Sequence, residues 1–83
     1  MMEQAQLHKN QEEFEKDSKW FYENIGLLRN RNLTNNYVAI KNENVISSNR
    51  SIEVIIEDLE KMGENPSYIL IEFVYPEETI ILL

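Results

Sequence analysis

The segment from Tyr37 to Tyr75 constrains the fold more than any other part of this sequence, because a hairpin pattern and a helix pattern follow each other in it. Two β-type runs, Tyr37–Lys41 and Asn44–Ser48, flank the polar pair Asn42-Glu43. Alternating runs around a two-residue polar turn predict a β-hairpin. The turn lacks the glycine of an Asn-Gly signal, so the pattern leaves the exact register open.

The residues after the hairpin predict a capped amphipathic helix. Ser51 is a favourable N-cap residue, and Gly63 followed by Pro66 is typical of a helix end. The apolar residues recur at helical spacing and predict one core-facing side: Ile52, Ile55, Ile56, Leu59 and Met62. The charged residues lie mainly on the opposite side: Glu53, Glu57, Glu60, Lys61 and Glu64.

Two further strands are predicted after this helix. Tyr68–Tyr75 alternates, and its odd-numbered side chains should face the helices; the other side is half apolar, which is more than a solvated face needs. Glu72 on that other side either lies on an exposed sheet face or pairs across strands with Lys41 or an arginine, and we favour the pair. Thr79–Leu83 reads as a short, apolar, uncharged last strand that invites strand pairing.

The N-terminal part of the chain predicts helix over residues 3–23. We divide the chain into a polar helical extension, residues 1–13, and an α+β domain, residues 14–83. Asn24 is suited to cap a second helix, or Gly26 marks a bend. Either choice places the same four apolar residues against the sheet: Trp20, Phe21, Ile25 and Leu28.

Together these elements predict a small single α+β domain with the order α-β-β-α-β-β. The sheet is expected to be mostly antiparallel, with strand order 2-1-3-4 and with the helices packed on one face. A domain of this size buries little apolar area relative to the entropy that folding costs. Cysteine is absent, so no disulfide can compensate, and we expect a homodimer.

Composition and charge restrict the classes of partner. The formal net charge is −7, with 15 acids and 8 bases, and such a balance argues against direct nucleic-acid binding. No signal peptide and no apolar run long enough to span a bilayer is visible, so we expect a cytoplasmic protein without membrane contact.

No residue pattern indicates catalysis, a metal or a cofactor. His8 is the only histidine, lies in the polar extension and has no cysteine to act with. The acids on the helix are best explained as a solvated face. Arg29, Arg31 and Arg50 could converge into an anion patch, and the simpler alternative is that they are scattered at random.

These observations favour a non-enzymatic, acidic protein-interaction module that associates with itself. The expected interface combines the last strand with the helical acids, namely Thr79, Ile80, Ile81, Leu82, Leu83, Glu53, Glu57 and Glu60. The alternative is an acidic, antitoxin-like regulator or inhibitor that masks a basic nucleic-acid-binding surface of a partner protein. The least favoured hypothesis is an enzyme that uses carboxylates and a divalent ion.

The span Trp20–Leu83 resembles a family of small, mostly archaeal proteins known only as a domain of unknown function. The matching positions are Trp20, Glu23, Asn24, Leu28, Tyr37-Val38-Ala39-Ile40, Val45-Ile46, Ser48, Leu59, Gly63, Pro66, Ile71-Glu72-Phe73-Val74 and Pro76. The sequence departs from the family at Glu43-Asn44, where relatives often have glycine. The resemblance implies the same fold and brings no activity, cofactor or site.

Overall fold

The computed structural model describes residues 2–77, and it describes the side chains of residues 11–77. In chain order the elements are α1 (Met2–Glu23), α2 (Ile25–Asn30), β1 (Tyr37–Lys41), β2 (Asn44–Asn49), α3 (Ile52–Lys61), a short 3₁₀ turn (Pro66–Tyr68) and β3 (Leu70–Phe73). The predicted α+β class is confirmed, with the order α-β-β-α-β. The predicted last strand, residues 79–83, lies outside the described residues.

The three strands form one antiparallel sheet in the order β2-β1-β3. Tyr37 at the start of β1 lies opposite Asn49 of β2 and opposite Phe73 of β3. The predicted order agrees for these three strands, and the position of a fourth lies outside residues 2–77. β1 is therefore the central strand, hydrogen-bonded along both of its edges.

The predicted hairpin is confirmed, and its turn is built without glycine. Asn42 and Glu43 have φ angles of 52° and 60°, the two left-handed residues that a type I′ turn requires. The side chain of Asn44 donates a hydrogen bond to the Asn42 carbonyl oxygen at 2.9 Å. Asparagine tolerates this backbone region, whereas glutamate adopts it at a cost.

β2 contains one irregularity that aims two side chains at α3. Ala39 lies opposite Ser47 while Ile40 lies opposite Val45, so Ile46 is an extra residue in β2. Ile46 packs in the cluster beneath α3, and the neighbouring Ser47 hydroxyl lies 3.3 Å from an Asp58 carboxylate oxygen on that helix. The bulge thus gives β2 two consecutive contacts with α3.

Helices cover both faces of the sheet, which corrects the prediction that they pack on one face. On one face, α1 and α2 bury a cluster formed by Phe21, Leu28, Val38, Ile40 and Val74. On the other face, α3 buries a cluster formed by Ala39, Ile55, Leu59 and Ile69. Because consecutive residues of β1 are buried, the sheet is apolar on both sides and each side must be covered.

The N-terminal predictions are confirmed in outline. Residues 3–23 are helical, and α2 begins immediately after Asn24. The Asn24 side chain makes no capping hydrogen bond to α2; its amide donates instead to the Trp20 carbonyl oxygen at 2.9 Å. Phe21 and Leu28 are buried, and Trp20 and Ile25 pack against them. The boundary between an extension and a domain at residue 13 stays a prediction.

α3 has the predicted ends but a narrower buried side than predicted. Ser51 occupies the N-cap position, but its hydroxyl bonds the Glu53 carboxylate and makes no capping hydrogen bond to the backbone. Gly63 with φ 79° follows the helix, and its N–H is bonded to the Glu60 carbonyl oxygen at 3.0 Å. Only Ile55 and Leu59 are buried, which corrects the expectation that Ile52, Ile56 and Met62 also face the core. α3 contacts β1 and β2 mainly, so the helix presents more apolar surface than these two strands cover.

Candidate interaction surfaces

The outward side of α3 carries apolar side chains that the sheet leaves uncovered. Ile52 is 36% exposed and Ile56 is 37% exposed. These residues are four apart, so they lie one above the other on the helix, beside the buried pair Ile55 and Leu59. Elsewhere on the helix, Val54 is also more than a third exposed. The structure thus leaves part of the predicted core side of α3 open to solvent.

Three acids flank these apolar side chains. Glu53, Glu57 and Glu60 are exposed and follow each other at intervals of four and three, so they form one stripe next to Ile52 and Ile56. We call these five residues the α3 surface. A hydrogen bond from the Ser51 hydroxyl, 2.8 Å from the Glu53 carboxylate, and a second one from a backbone N–H hold the pKa of Glu53 below its ordinary value.

A groove runs between α1 and the start of β3. Its volume is about 570 Å³, and we call it the α1–β3 groove; its lining residues are Gln11, Phe14, Glu15, Ser18, Lys19 and Leu70. Phe14 and Leu70 are only partly buried and form the apolar part of the lining. β3 contributes Leu70, its first residue, to this lining, and among residues 2–77 β3 pairs with β1 alone.

A smaller cleft separates α1 from the hairpin turn. Its volume is about 270 Å³, and its lining includes Glu13, Lys16, Asp17 and the turn residues Asn42 and Glu43. Asp17 is 6% exposed and is the buried charged residue among the described side chains. Its Oδ1 accepts the backbone N–H of Glu43 at 2.8 Å, so this carboxylate ties α1 to the turn.

Sequence reasoning missed Asp17, although a signal for it exists. Asp17 lies three residues after Phe14 and four before Phe21, which places it on the core-facing side of α1. A lone acid on that side must find a hydrogen-bond donor when it is buried. The donor is a backbone N–H distant in sequence, which no local pattern reveals.

Glu72 does not make the cross-strand ion pair that the sequence favoured. Lys41 instead binds Glu64, with 2.5 Å between its Nζ and a carboxylate oxygen. The two residues lie on opposite faces of the sheet: Lys41 shares the α3 side with Ala39, whereas Glu72 lies opposite Val38 on the α1 side. A pair between them would have to pass through the sheet. No arginine among the described residues forms an ion pair with Glu72 either, so the predicted pair is wrong.

Glu72 has Tyr22 of α1 as its partner. The Tyr22 hydroxyl lies 3.4 Å from a Glu72 carboxylate oxygen. Burial raises the pKa of Glu72, and the hydrogen bond from Tyr22 opposes part of that rise. The negative charge of Glu72, followed by burial and the hydrogen bond, raises the pKa of Tyr22. The carboxylate is therefore held in an environment that disfavours its charge.

One of the three arginines of the candidate anion patch has a protein partner. Arg29 Nε donates to the Tyr75 carbonyl oxygen at 2.8 Å. Arg31 is the exposed residue that follows α2, and Arg50 is the exposed residue that follows β2. The anion patch therefore stays a prediction, with random scatter as its alternative.

The aromatic side chains at the end of β3 pack against one another. Phe73 lies between Tyr37 and Tyr75, with 5.0 Å between ring centroids and an edge-to-face geometry in each pair. This arrangement favours packing over the presentation of ring faces to nucleic-acid bases. Tyr75 remains 45% exposed.

Two kinds of feature are absent from the described residues. No group of three or more His, Cys, Asp and Glu side chains is placed to hold a metal ion there. No helix in that part of the chain is long and apolar enough to cross a membrane. The side chain of His8 lies outside the described residues.

Comparison with known proteins identified no relative of this chain. No family model matches the chain, no curated protein matches it, and no solved structure matches it. The resemblance to a family of unknown function therefore stays a prediction.

Proposed function

We propose that this chain is a small, acidic, non-enzymatic protein-interaction module that associates with itself and acts in the cytoplasm. The observation that carries the proposal is the α3 surface, where Ile52 and Ile56 remain more than a third exposed. A small domain has few apolar side chains, so leaving two of them exposed on one helix indicates an interaction site. A partner that covers them gains about 25 cal/mol of binding free energy for each Å² of apolar area buried.

We propose that self-association takes place through the last residues of the chain. Thr79, Ile80, Ile81, Leu82 and Leu83 carry no charge, and four of the five are apolar. Uncharged apolar segments in an extended conformation pair readily with identical segments of a second copy. A homodimer formed in this way would add buried area to a core that is small for an independent domain.

The second candidate function is that of an acidic regulator that masks a basic, nucleic-acid-binding surface of another protein. The observation in its favour is the exposed stripe of Glu53, Glu57 and Glu60 directly beside Ile52 and Ile56. A complementary partner would present apolar side chains bordered by Lys and Arg. The chain itself would make no direct contact with nucleic acid and would need no cofactor.

Light scattering coupled to size exclusion tests self-association. We expect the full chain to be a dimer over a wide range of dilution, and a chain that ends at Glu78 to be a folded monomer, with circular dichroism as the check on folding. If both proteins are monomers at every concentration, the self-association proposal is wrong.

A charge-neutral variant separates the two candidate functions. We replace Glu53, Glu57 and Glu60 by Gln and measure binding to proteins recovered from the host on the immobilised chain, at two salt concentrations. The regulator hypothesis predicts that binding weakens at least about tenfold and loses its salt dependence. The matched control replaces three other exposed acids, which are Glu23, Glu43 and Glu77. Equal losses in both variants would contradict a specific role for the α3 surface.

A further inference from the structure

α3 covers only part of the sheet face on which it lies. Among residues 2–77 it is the helix on this face, and it packs mainly on β2 and β1. The sheet has the order β2-β1-β3, so the remaining part of the face belongs to β3. Phe73 of β3 lies there, because it is directly opposite Tyr37, which packs in the cluster beneath α3.

The contact of α3 with β2 shows which flank of the helix is turned towards β3. The Ser47 hydroxyl of β2 lies 3.3 Å from an Asp58 carboxylate oxygen, so the Asp58 flank faces β2. At about 100° per residue, Ile56 lies about 160° around the helix axis from Asp58. The buried Ile55 and Leu59 lie between these two flanks. Because β2 and β3 lie on opposite sides of β1, the flank that carries Ile56 is the one towards β3.

The first turn of α3 lies at the end of the sheet where β3 ends. Asn49, the last residue of β2, accepts the backbone N–H of Ser51 at 2.9 Å, and Ser51 immediately precedes α3. Asn49 is opposite Tyr37 of β1, and Tyr37 is opposite Phe73 of β3. Ile52, the first residue of α3, is therefore at the same end of the sheet as Phe73.

These residues form one apolar area, which we call the α3–β3 face: Ile52, Ile56, Tyr37, Phe73 and Tyr75. Tyr75 belongs to it because its ring centroid lies 5.0 Å from that of Phe73. Ile52, Ile56 and Tyr75 are each more than a third exposed. Aromatic and aliphatic side chains grouped in this way are typical of surfaces that bind other proteins.

The width of the α3–β3 face suits an α-helix. Helices that pack side by side have axes about 8–10 Å apart. Two strands of a sheet occupy a similar width, because neighbouring strands lie about 4.8 Å apart. Since α3 lies over β2 and β1, a second helix placed beside it lies over β3 and contacts the Ile52 and Ile56 flank of α3.

The charges along α3 specify the flank of such a helix. Beyond Ile56, farther around α3 from the buried pair, the next side chains are acidic and exposed, namely Glu60, Glu53 and Glu57. These acids border the α3–β3 face on the side away from the sheet. A helix that lies on the face brings one of its own flanks to them, and Lys or Arg on that flank is complementary.

We propose that the α3–β3 face binds an amphipathic α-helix of another protein, with its apolar side packed between α3 and β3 and with Lys and Arg beside Glu53, Glu57 and Glu60. This is a helix-in-groove mode of recognition. The helix is a partner of the proposed interaction module, so its docking rests on that function. β3 thereby becomes part of the contact surface, together with the α3 surface.

A synthetic peptide tests whether the face selects a helix. We titrate the ¹⁵N-labelled full chain with a peptide of about 18 residues, long enough to form a helix, in which Leu recurs at helical spacing and Lys and Ala fill the other positions. The control peptide has the same composition with Leu at every second position, which favours a strand. We expect amide shifts at Ile52, Ile56 and Phe73 and at least about tenfold weaker binding of the control. Equal affinities, or shifts confined to Phe14 and Leu70 of the α1–β3 groove, would overturn the proposal.

Two variants of α3 with the same change in charge locate the contact. Ile56→Lys should weaken binding of the helical peptide at least about tenfold, because it places a cation in the apolar face. Val54→Lys is the matched control, since Val54 is equally exposed and lies about 160° around the helix from Ile56. It should keep the affinity within about twofold. Circular dichroism checks that both variants fold, and equal losses in both would contradict docking at this flank.

A variant of Tyr75 tests the contribution of the sheet. Tyr75→Ser should weaken binding of the helical peptide at least about threefold, whereas Tyr68→Ser, at a tyrosine in the 3₁₀ turn that is 55% exposed, should leave it unchanged. Unchanged binding by the Tyr75 variant, together with an absence of shifts at Phe73 in the native chain, would show that the peptide contacts α3 alone. That result would overturn docking between α3 and β3.

Spectra of the chain without peptide identify other occupants of the face. Resonances of Ile52, Ile56 and Phe73 that shift on dilution would show that a second copy covers it. Nuclear Overhauser contacts from residues 79–83 to Phe73 would show that the end of the same chain covers it. Either result would overturn the proposal.

The helix docking and the proposed function fail separately. A chain that is a dimer in light scattering but does not bind the helical peptide would remove the docking and leave the self-associating module intact. A monomeric chain that binds the peptide at the α3–β3 face would remove self-association and leave the docking intact.

Discussion

At the hairpin turn, Asn42 and Glu43 share a left-handed backbone, but the two residue types differ in how well they tolerate it. The φ angle of Glu43 is 60°, a region that costs a residue with a Cβ about 1–2 kcal/mol. The hydrogen bond from its N–H to the buried Asp17 carboxylate, at 2.8 Å, holds this conformation. The glutamate side chain is exposed, so its replacement loses no packing.

We therefore expect Glu43→Gly to stabilise the protein by about 1 kcal/mol, since glycine adopts positive φ without steric cost. Urea unfolding monitored by circular dichroism measures the change. Glu43→Ala is the matched control, because it removes the same side chain and keeps the Cβ. If the alanine variant gained as much as the glycine variant, loss of the glutamate charge would explain the effect and backbone strain would not.

At Glu72 the backbone is not strained, and the unfavourable contribution comes from burial of the charged carboxylate. Burial raises its pKa above the ordinary value of 4.5, so between the unfolded and the folded pKa the folded chain binds more protons than the unfolded chain. Stability contributed by this group consequently falls as pH rises through that interval. Below the unfolded pKa both states carry the neutral acid and the penalty is absent.

We expect Glu72→Gln to be more stable than the native chain at pH 7, with a difference that shrinks towards zero as pH falls below about 4. The glutamine can still accept the hydrogen bond from the Tyr22 hydroxyl. Thermal unfolding at a series of pH values measures the difference, and Glu57→Gln on the exposed side of α3 corrects for the change in net charge. A difference that is the same at every pH would refute this account.

At the scale of the elements, the end of α3 depends on one glycine. Gly63 has φ 79°, and two backbone bonds form around it, from Gly63 N–H to the Glu60 carbonyl oxygen at 3.0 Å and from Glu64 N–H to the Leu59 carbonyl oxygen at 2.9 Å. This is the Schellman arrangement, which satisfies carbonyl groups that the helix leaves unpaired. Nothing lies within 4 Å of a Cβ placed on Gly63, so backbone strain alone decides the effect of a substitution.

Gly63→Ala should destabilise the protein by about 1 kcal/mol, because alanine is strained at this positive φ. Gly26 provides the matched control: it lies inside α2, where a Cβ also meets nothing within 4 Å. There Gly26→Ala should be stabilising by about 0.5–1 kcal/mol, because alanine favours the helix. Thermal or urea unfolding of the two variants should therefore give shifts of opposite sign, and shifts of the same sign would contradict the assignment of the α3 end.

The elements themselves could be predicted because their signals are local. Ser51 and Gly63 mark the limits of α3, and the polar pair Asn42-Glu43 marks the turn, without reference to any distant residue. The buried side of α3 could not be predicted in full, because apolar spacing includes Ile52 and Ile56 while their burial depends on how many strands lie beneath the helix. That quantity is a property of the sheet and not of the helix sequence.

At the scale of the whole molecule, the sequence carries a sign that both faces of the sheet are covered. The second side of the predicted strand Tyr68–Tyr75 is half apolar, and in the structure its residues Leu70 and Val74 meet α1 and α2. The Asp17–Glu43 and Tyr22–Glu72 contacts join α1 to residues far along the chain. Such contacts require the fold to be known, so the candidate surfaces could be predicted only in part.

The central position of β1 has a consequence for the order in which the molecule folds. One neighbour, β2, is joined to it by the two residues Asn42 and Glu43, whereas the other, β3, follows only after the whole of α3. Closing a long loop costs more entropy than closing a tight turn, so we expect the hairpin to form early and β3 to join late. Substitutions in the turn should accordingly change the rate of folding, and substitutions in β3 should chiefly change the rate of unfolding.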